Sequence, residues 1–174
     1  MRRLVALLLL LGLAAGVAAA AGFPARYAPV VVQPQGVPQR YEFDLSAVLE
    51  RAAREHKRLY VYLGANDCPF CRKYEAFLDK SADELLPHFA KDWIVVDLRS
   101  SLPVQADRLW FRIGRQAWPY PEFMRKLGDE RERQLVYPSV WLFDASAKPL
   151  MQMPAGTGTF ETVPEQLEIL RLEQ

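Results

Sequence analysis

The chain has 174 residues, of which 51% are hydrophobic and 25% charged, and this composition is typical of a globular domain. Its 22 Lys and Arg nearly balance its 21 Asp and Glu, so no basic surplus points to a nucleic-acid partner. We see no internal repeat, and the length predicts a single domain with its own core.

The first residues have the three-part pattern of a secretory signal peptide. Residues 1–3 (MRR) form a short basic start, residues 4–13 are apolar, and the alanines at 18–20 fit an A-x-A cleavage site. The alternative is a retained membrane anchor, because the uncharged stretch 4–23 reaches the ~20 residues needed to span a bilayer. Its Ala-rich second half favours cleavage. We therefore predict a signal peptide over 1–20 and a periplasmic or secreted protein.

After the signal peptide, the sequence predicts an N-terminal arm followed by a folded domain. Residues 21–40 contain four prolines, which predicts an extended arm with a short strand at 30–32. The folded domain is expected over 41–174. It opens with a helix over 45–56, for which Asp44 is a suitable cap.

Two buried strands and two helices follow. The stretch 58–65 (RLYVYLGA) is apolar on both faces, which predicts a central strand. Pro69 suits the first position of a helix that runs to about Lys80. A second helix ends near Lys91, and 93–98 (WIVVDL) predicts another buried strand.

Residues 99–135 form an insert that we predict to be helical. Apolar residues recur there at helical spacing, namely Ala106, Leu109, Trp110, Ile113 and Ala117. A short second helix is expected before Gly128. Several aromatic residues of the insert are expected to pack it onto the sheet, and the alternative is that they extend a substrate groove: Trp110, Phe111, Trp118, Tyr120 and Phe123.

The last third of the chain predicts a hairpin and a closing helix. Strands are expected over 138–144 and 149–156, and a capping box of Thr162 and Glu165 starts the helix. With the earlier elements, this order predicts an α/β fold in which a mixed sheet carries helices on both faces.

Cys68 and Cys71 are the only cysteines, and their spacing suggests redox chemistry. A disulfide between them would close too short a loop to stabilise the fold much. A zinc site needs about four ligands, and the two histidines, His56 and His88, lie far away in sequence. We therefore predict no metal and no cofactor. Thiol–disulfide exchange is favoured, and an inert structural disulfide is the alternative.

The position of the pair predicts two unlike roles. Cys68 lies at a helix N-terminus, where unpaired N–H groups stabilise a thiolate, the attacking form. Cys71 is nearly one turn further on, so it can resolve a mixed disulfide while the helix shields it. Phe70 offers an exposed apolar edge to a substrate. Arg72 and Lys73 add positive charge nearby.

Three stretches of the chain resemble the thioredoxin-like superfamily, specifically its exported thiol–disulfide oxidoreductases. They are YVYLGANDCPFC (60–71), WIVVDL (93–98) and VYPSVWLFDASAKPL (136–150). The resemblance extends to the C-terminus apart from the insert, and it implies a thioredoxin-like fold. It also implies that Pro138 is cis and faces the cysteines, and that the backbone of Tyr137 pairs with an extended substrate.

The chain departs from that family in two places near the cysteines. Thioredoxins have Trp-Cys-Gly-Pro-Cys, whereas residues 67–71 here read Asp-Cys-Pro-Phe-Cys. Many members also carry a buried acid six residues before the first cysteine, thought to take a proton from the resolving thiol. That position is Tyr62 here, so the proton acceptor of Cys71 is unassigned.

Together, these features predict an exported thiol–disulfide oxidoreductase that exchanges disulfides with protein substrates, and they favour the reductase or isomerase direction. A monomer is expected, recycled by a membrane electron donor or acceptor. One alternative is a non-catalytic binding or chaperone module with the same fold. The other is a membrane-anchored assembly factor for exported cytochromes or metalloproteins.

Overall fold

A computed structural model describes residues 22–37, 40–128, 134–152 and 161–171. The predicted signal peptide therefore lies outside the described residues, as does the predicted strand beyond Gln152. Within the described ranges, no helix is long and apolar enough to cross a membrane.

The described residues form strands and helices in a mixed order. The strands are β1 (Val30–Val32), β2 (Gln35–Val37), β3 (Arg40–Asp44), β4 (Arg58–Ala65), β5 (Trp93–Ser100), β6 (Leu109–Ile113), β7 (Gln116–Pro119), β8 (Ser139–Phe143) and β9 (Pro149–Gln152). The helices are α1 (Ser46–Glu55), α2 (Pro69–Lys80), α3 (Ala82–Asp92), α4 (Tyr120–Leu127) and α5 (Val163–Arg171).

The main sheet has the strand order β1-β5-β4-β8-β9. Strand β5 runs parallel to both β1 and β4, whereas β8 is antiparallel to both β4 and β9. The central position predicted for residues 58–65 is confirmed, and so is the mixed α/β fold class.

The side chains of β4 alternate between two hydrophobic cores, which is why the whole strand is apolar. Leu59, Val61 and Leu63 face a core that α1 and the insert complete. Tyr60 and Tyr62 face the opposite core, which α2, α3 and α5 cover. The sheet therefore carries helices on both faces, as predicted.

The N-terminal arm is more than the extended segment predicted for 21–40. Residues 25–27 form a 3-10 turn, and the strand predicted at 30–32 is present and pairs with β5. Phe23 and Tyr27 are buried in the second core, where the Tyr27 hydroxyl donates a hydrogen bond to the Leu78 carbonyl at 2.8 Å. The arm therefore packs on the face of the main sheet that α2, α3 and α5 cover.

The helical prediction for the insert is wrong in its first part. Residues 109–113 and 116–119 are the antiparallel strands β6 and β7. The loop between them begins with Gly114 at φ +59°, a position at which tight hairpins favour glycine. Leu109 and Phe111 are buried while Trp110 between them is not. This alternation of buried and less buried side chains has the period of two that is typical of a strand.

Strands β6 and β7 belong to a second sheet, which the sequence did not predict. Its order is β2-β3-β6-β7, with β3 parallel to β6. The short helix expected before Gly128 is confirmed as α4. Phe111, Tyr120 and Phe123 are buried in the first core, so for these three the packing interpretation is confirmed. Trp110 instead lies under the guanidinium of Arg40 at 3.7 Å.

We expect stability to fall in alkali, because burial raises the pKa of five tyrosines. Burial is the largest cause in each case, and it raises the pKa of Tyr60 and Tyr137 to about 12. It raises the pKa of Tyr27, Tyr62 and Tyr74 as well. Near pH ~10, these tyrosines therefore ionise in the unfolded chain but stay protonated in the folded protein.

The free energy of unfolding should fall as the pH rises, because between about pH 10 and 12 the folded state holds more protons than the unfolded state. The free energy of unfolding should be level near neutral pH. It should then fall by up to about 1.4 kcal/mol per pH unit for each tyrosine. Urea unfolding at a series of pH values measures the curve, and a level curve up to about pH 11 would contradict the prediction.

Candidate active site

Cys68 lies where the central strand meets a helix. Strand β4 ends at Ala65, a two-residue turn follows, and Cys68 is the N-cap of α2 with Pro69 as its first residue. The Cys71 N–H donates a hydrogen bond to Cys68 Sγ at 3.1 Å. The sulfur thus occupies the place of a capping oxygen, where the helix dipole favours negative charge.

Both cysteines are reduced and buried. The exposed fraction is 2% for Cys68 and 0% for Cys71. The sequence predicted that the helix shields Cys71, and the structure buries Cys68 as well. The reason is packing: the half-buried Tyr137 lies against the pair, and its hydroxyl donates to Ser100 Oγ at 2.9 Å.

Replacing Tyr137 with Ala should make Cys68 react faster, because the side chain that packs against the cysteine pair is removed. We expect the rate at which iodoacetamide alkylates Cys68 to rise several-fold, measured by mass spectrometry of the reduced protein. Phe70→Ala is the matched control, since Phe70 is an aromatic residue between the two cysteines in sequence but is 57% exposed. An unchanged rate in Tyr137→Ala would show that other atoms shield the sulfur.

Burial raises the pKa of the Cys71 thiol, and its hydrogen bond with Cys68 acts in the same direction. Two contacts oppose them. The Ala65 N–H donates to Cys71 Sγ at 3.5 Å, and a hydrogen bond with Tyr62 also lowers the pKa. The net result is a thiol that is protonated at neutral pH, so it needs a proton acceptor before it can attack.

The other predicted site residues lie in the segment before β8 and on α2. The Tyr137–Pro138 peptide bond is cis, as the resemblance implied, and Pro138 is half-buried. Phe70 is exposed, as expected. The substrate-binding roles of these three residues remain predictions.

The start of the insert also reaches the active-site turn, which sequence reasoning missed. The Leu102 N–H donates to Asp67 Oδ1 at 2.8 Å, and Leu102 is 47% exposed.

The charged groups of Arg72 and Lys73, which follow the cysteines in sequence, bind other partners. Arg72 donates to the Ala65 carbonyl at 3.2 Å, and Lys73 pairs with Glu161 at 2.6 Å.

A buried cluster of charged residues lies beside Cys71, and sequence reasoning missed it as well. Arg99 Nη1 donates to Glu75 Oε1 at 3.0 Å, and Arg99 Nη2 donates to Asp97 Oδ2 at 2.8 Å. All three side chains are at most 8% exposed. One signal was available, because Glu75 lies four residues after Cys71 and so shares its helix face.

Arg72 balances the charges of this cluster, because it also pairs with Glu75, at 3.1 Å. Burial lowers the pKa of Arg99, but Asp97 and Glu75 outweigh it and the pKa is raised. Burial raises the pKa of Asp97 against the opposing effect of Arg99. Across the described ranges, no group of three or more His, Cys, Asp or Glu side chains is arranged to hold a metal ion.

Comparison with known proteins gives structural matches alone. No protein-family model and no curated protein matches the sequence. The chain is similar to a thioredoxin-fold protein from Helicobacter pylori, at 15% identity over 68% of this chain and 69% of that one, with a TM-score of 0.45. It is also similar to an exposed lipoprotein thioredoxin from Streptococcus pneumoniae, at 15% identity over 72% and 90% of the two chains, with a TM-score of 0.42.

A third similar structure is a DsbH oxidoreductase, at 15% identity over 84% of this chain and 89% of that one, with a TM-score of 0.37. The fold is assigned from the architecture of the molecule itself. Its mixed sheet has helices on both faces, a cysteine pair where the central strand meets α2, and a cis proline directly before β8. The chain has a thioredoxin-like fold.

Proposed function

We propose that the protein is an exported thiol–disulfide oxidoreductase that acts on protein thiols and disulfides through Cys68 and Cys71. The observation that carries this proposal is the hydrogen bond from the Cys71 N–H to Cys68 Sγ at the N-cap of α2. A thiolate at Cys68 keeps that bond, and the thiolate is the form that attacks a disulfide.

The reaction proceeds in two steps. The Cys68 thiolate attacks one sulfur of the substrate disulfide, a mixed disulfide forms, and the other substrate sulfur leaves as a thiolate that takes a proton from water. Cys71 then loses its proton and attacks Cys68 Sγ, and the second substrate thiolate leaves. The substrate gains two electrons and the protein keeps the Cys68–Cys71 disulfide.

The reductase or isomerase direction is favoured, with the pair kept reduced by a membrane electron donor. The α2 N-terminus stabilises the Cys68 thiolate, which raises the potential, but Arg72 and Lys73 are paired with Glu75 and Glu161 and so add less to this effect. We place the protein in the periplasm or outside the cell, as a monomer. The signal peptide is assigned to 1–20, the arm to 21–40 and the thioredoxin-like domain to 41–174.

The burial of both sulfurs favours a second candidate, a binding or chaperone module whose disulfide does not turn over. A Cys71→Ser variant, expressed in cells with its native signal, distinguishes the two. The oxidoreductase should accumulate as a mixed disulfide with a protein partner, released by dithiothreitol, whereas Cys68→Ser/Cys71→Ser should form none. A Cys71→Ser variant that stays free of partners would favour the binding module.

A further inference from the structure

The site at which the signal peptide is removed lies close to the buried charged cluster. Cleavage after residue 20 frees an α-amino group on Ala21, and cleavage one residue later frees one on Gly22. Consecutive Cα atoms are about 3.8 Å apart, so in both cases the amino group stays within one residue of Gly22. The position of Gly22 therefore decides what the new N-terminus can reach.

Gly22 and Phe23 lie directly against Asp97 of β5. The Phe23 N–H donates to Asp97 Oδ2 at 3.1 Å. A Cβ atom added to Gly22 would lie 3.4 Å from the same oxygen and 3.0 Å from Arg99 Nη2. The arm is held in this place because the buried Phe23 ring packs edge-on against other rings of the second core. The start of the arm is thus fixed beside the carboxylate.

One oxygen of Asp97 lacks a donor. Its Oδ2 accepts from the Phe23 N–H and from two nitrogens of Arg99, Nε at 3.0 Å and Nη2 at 2.8 Å. Its Oδ1 is buried and accepts no hydrogen bond from the described residues, and Asp97 as a whole is only 2% exposed. Buried carboxylate oxygens normally have a donor, so Oδ1 marks a place where one belongs.

Asp97 and Gly22 both line an open groove of about 960 Å³ between the arm, α2 and β5. The titratable side chains that line it are Arg72, Glu75 and Asp79 from α2, and Asp97 and Arg99 from β5. Three carboxylates therefore share the groove with two guanidinium groups, and one further cation would balance them. Burial raises the pKa of Asp97, and a cation beside Oδ1 would oppose that effect.

The nearest basic side chains outside the groove have other partners. Arg26 is the only basic residue of the arm between residues 22 and 37, and it pairs with Asp83. Lys73 of α2 pairs with Glu161 at 2.6 Å. The cation that the groove lacks is therefore best supplied by the N-terminus of the processed chain.

We infer that the α-ammonium group freed by signal-peptide cleavage binds in this groove and donates a hydrogen bond to Asp97 Oδ1. It brings the positive charge and the N–H donor that the groove lacks. The uncleaved precursor has a neutral peptide group at the same position, so the ion pair forms only in the processed protein. Cleavage thus completes the charged cluster beside Cys71. This inference rests on the export that the proposed function includes.

The first test measures how fast the α-amino group is acylated in the folded protein. A chain that begins at Ala21 is compared with one that begins at Ala18, in which the amino group is three residues further from Gly22. Acetic anhydride is the reagent, and mass spectrometry of the N-terminal peptide follows the reaction. The chain from Ala21 should react on the order of tenfold more slowly, with its pH profile shifted upwards, because Asp97 favours the unreactive charged form.

Urea unfolding of the same two chains gives an independent measurement. The equilibrium constant for unfolding should be on the order of tenfold larger for the chain from Ala18. Asp97→Asn should abolish this difference between the two chains. Asp83→Asn is the matched control and should preserve it, because Asp83 binds the arm through Arg26 but does not line the groove.

The outcomes separate this inference from the proposed function. If cells leave the signal peptide uncleaved, the proposed processing and export fail. If the mature chain begins at Ala21 or Gly22 but its amino group reacts as fast as that of the chain from Ala18, water or a free amine occupies the groove and the ion pair is wrong, while the proposed function stands. A mature chain that begins elsewhere also overturns the ion pair.

The variants give a second way to overturn the ion pair. Slow acylation that persists in Asp97→Asn would contradict it, as would an equal effect of Asp83→Asn on the difference between the two chains. If Asp97→Asn does not fold, the acylation rates of the two wild-type chains decide.

Discussion

Replacing Cys68 with Ser should abolish disulfide exchange. A serine hydroxyl is not ionised at neutral pH and does not attack a disulfide, whereas the wild-type sulfur lies at a helix N-terminus and accepts the Cys71 N–H. Insulin reduction in the presence of dithiothreitol measures the loss, and the variant should not exceed the rate with dithiothreitol alone.

Cys71→Ser is the control for this experiment, because it keeps the attacking sulfur and removes the resolving one. It should form a mixed disulfide with a small aromatic disulfide at the wild-type rate and then stop. If Cys68→Ser retained turnover, or if Cys71→Ser carried out the whole cycle, the two assigned roles would be wrong.

Replacing Phe111 with Ala should lower the free energy of unfolding by about 3–5 kcal/mol. Phe111 is completely buried and stacks on Phe123 with ring centroids 4.4 Å apart. It also meets the Trp141 ring of the main sheet edge-on at 6.1 Å. Removing the ring leaves a cavity where the insert joins the main core, and urea unfolding measures the cost.

Trp110→Ala is the matched control, because Trp110 is the neighbouring residue on the opposite face of β6. Its ring lies under the Arg40 guanidinium, a contact of about 0.5–1 kcal/mol at an exposed site. Equal losses in the two variants would contradict the assignment of faces. The expected difference would show that the buried face of β6 is part of the main core.

The sequence was most informative where local chemistry decides the structure. Pro69 and the short turn before it mark the start of α2 regardless of tertiary contacts. The stretch 58–65 is apolar on both faces because it lies between two cores, and it forms β4 with the predicted bounds. The position of the cysteine pair follows from these two elements alone.

The sequence was ambiguous in the insert. Leu109, Trp110 and Ile113 fit one face of a helix, yet Leu109 and Phe111 fit one face of a strand equally well. Pairing with β3 resolves the ambiguity, because β6 gains backbone hydrogen bonds along its parallel neighbour. That partner lies far away in sequence, so no local pattern reports it.

The surroundings of the cysteines depend on similarly distant contacts. Glu75 meets Arg99 from another element, and Tyr137 comes from the far side of the insert to pack on Cys68. The charge on Arg99 alone does not indicate which carboxylate balances it. Sequence reasoning therefore predicted the two sulfurs and the shielding of Cys71, but not the burial of Cys68 or the charged cluster beside them.

Equilibration of the protein with defined ratios of reduced and oxidised glutathione tests the central claim most directly. Alkylation followed by mass spectrometry counts the free thiols at each ratio. We expect Cys68 and Cys71 to titrate together as one two-electron couple, with a potential between about −150 and −250 mV. A disulfide that stays locked below about −300 mV, or thiols that never form one, would contradict a redox-active pair.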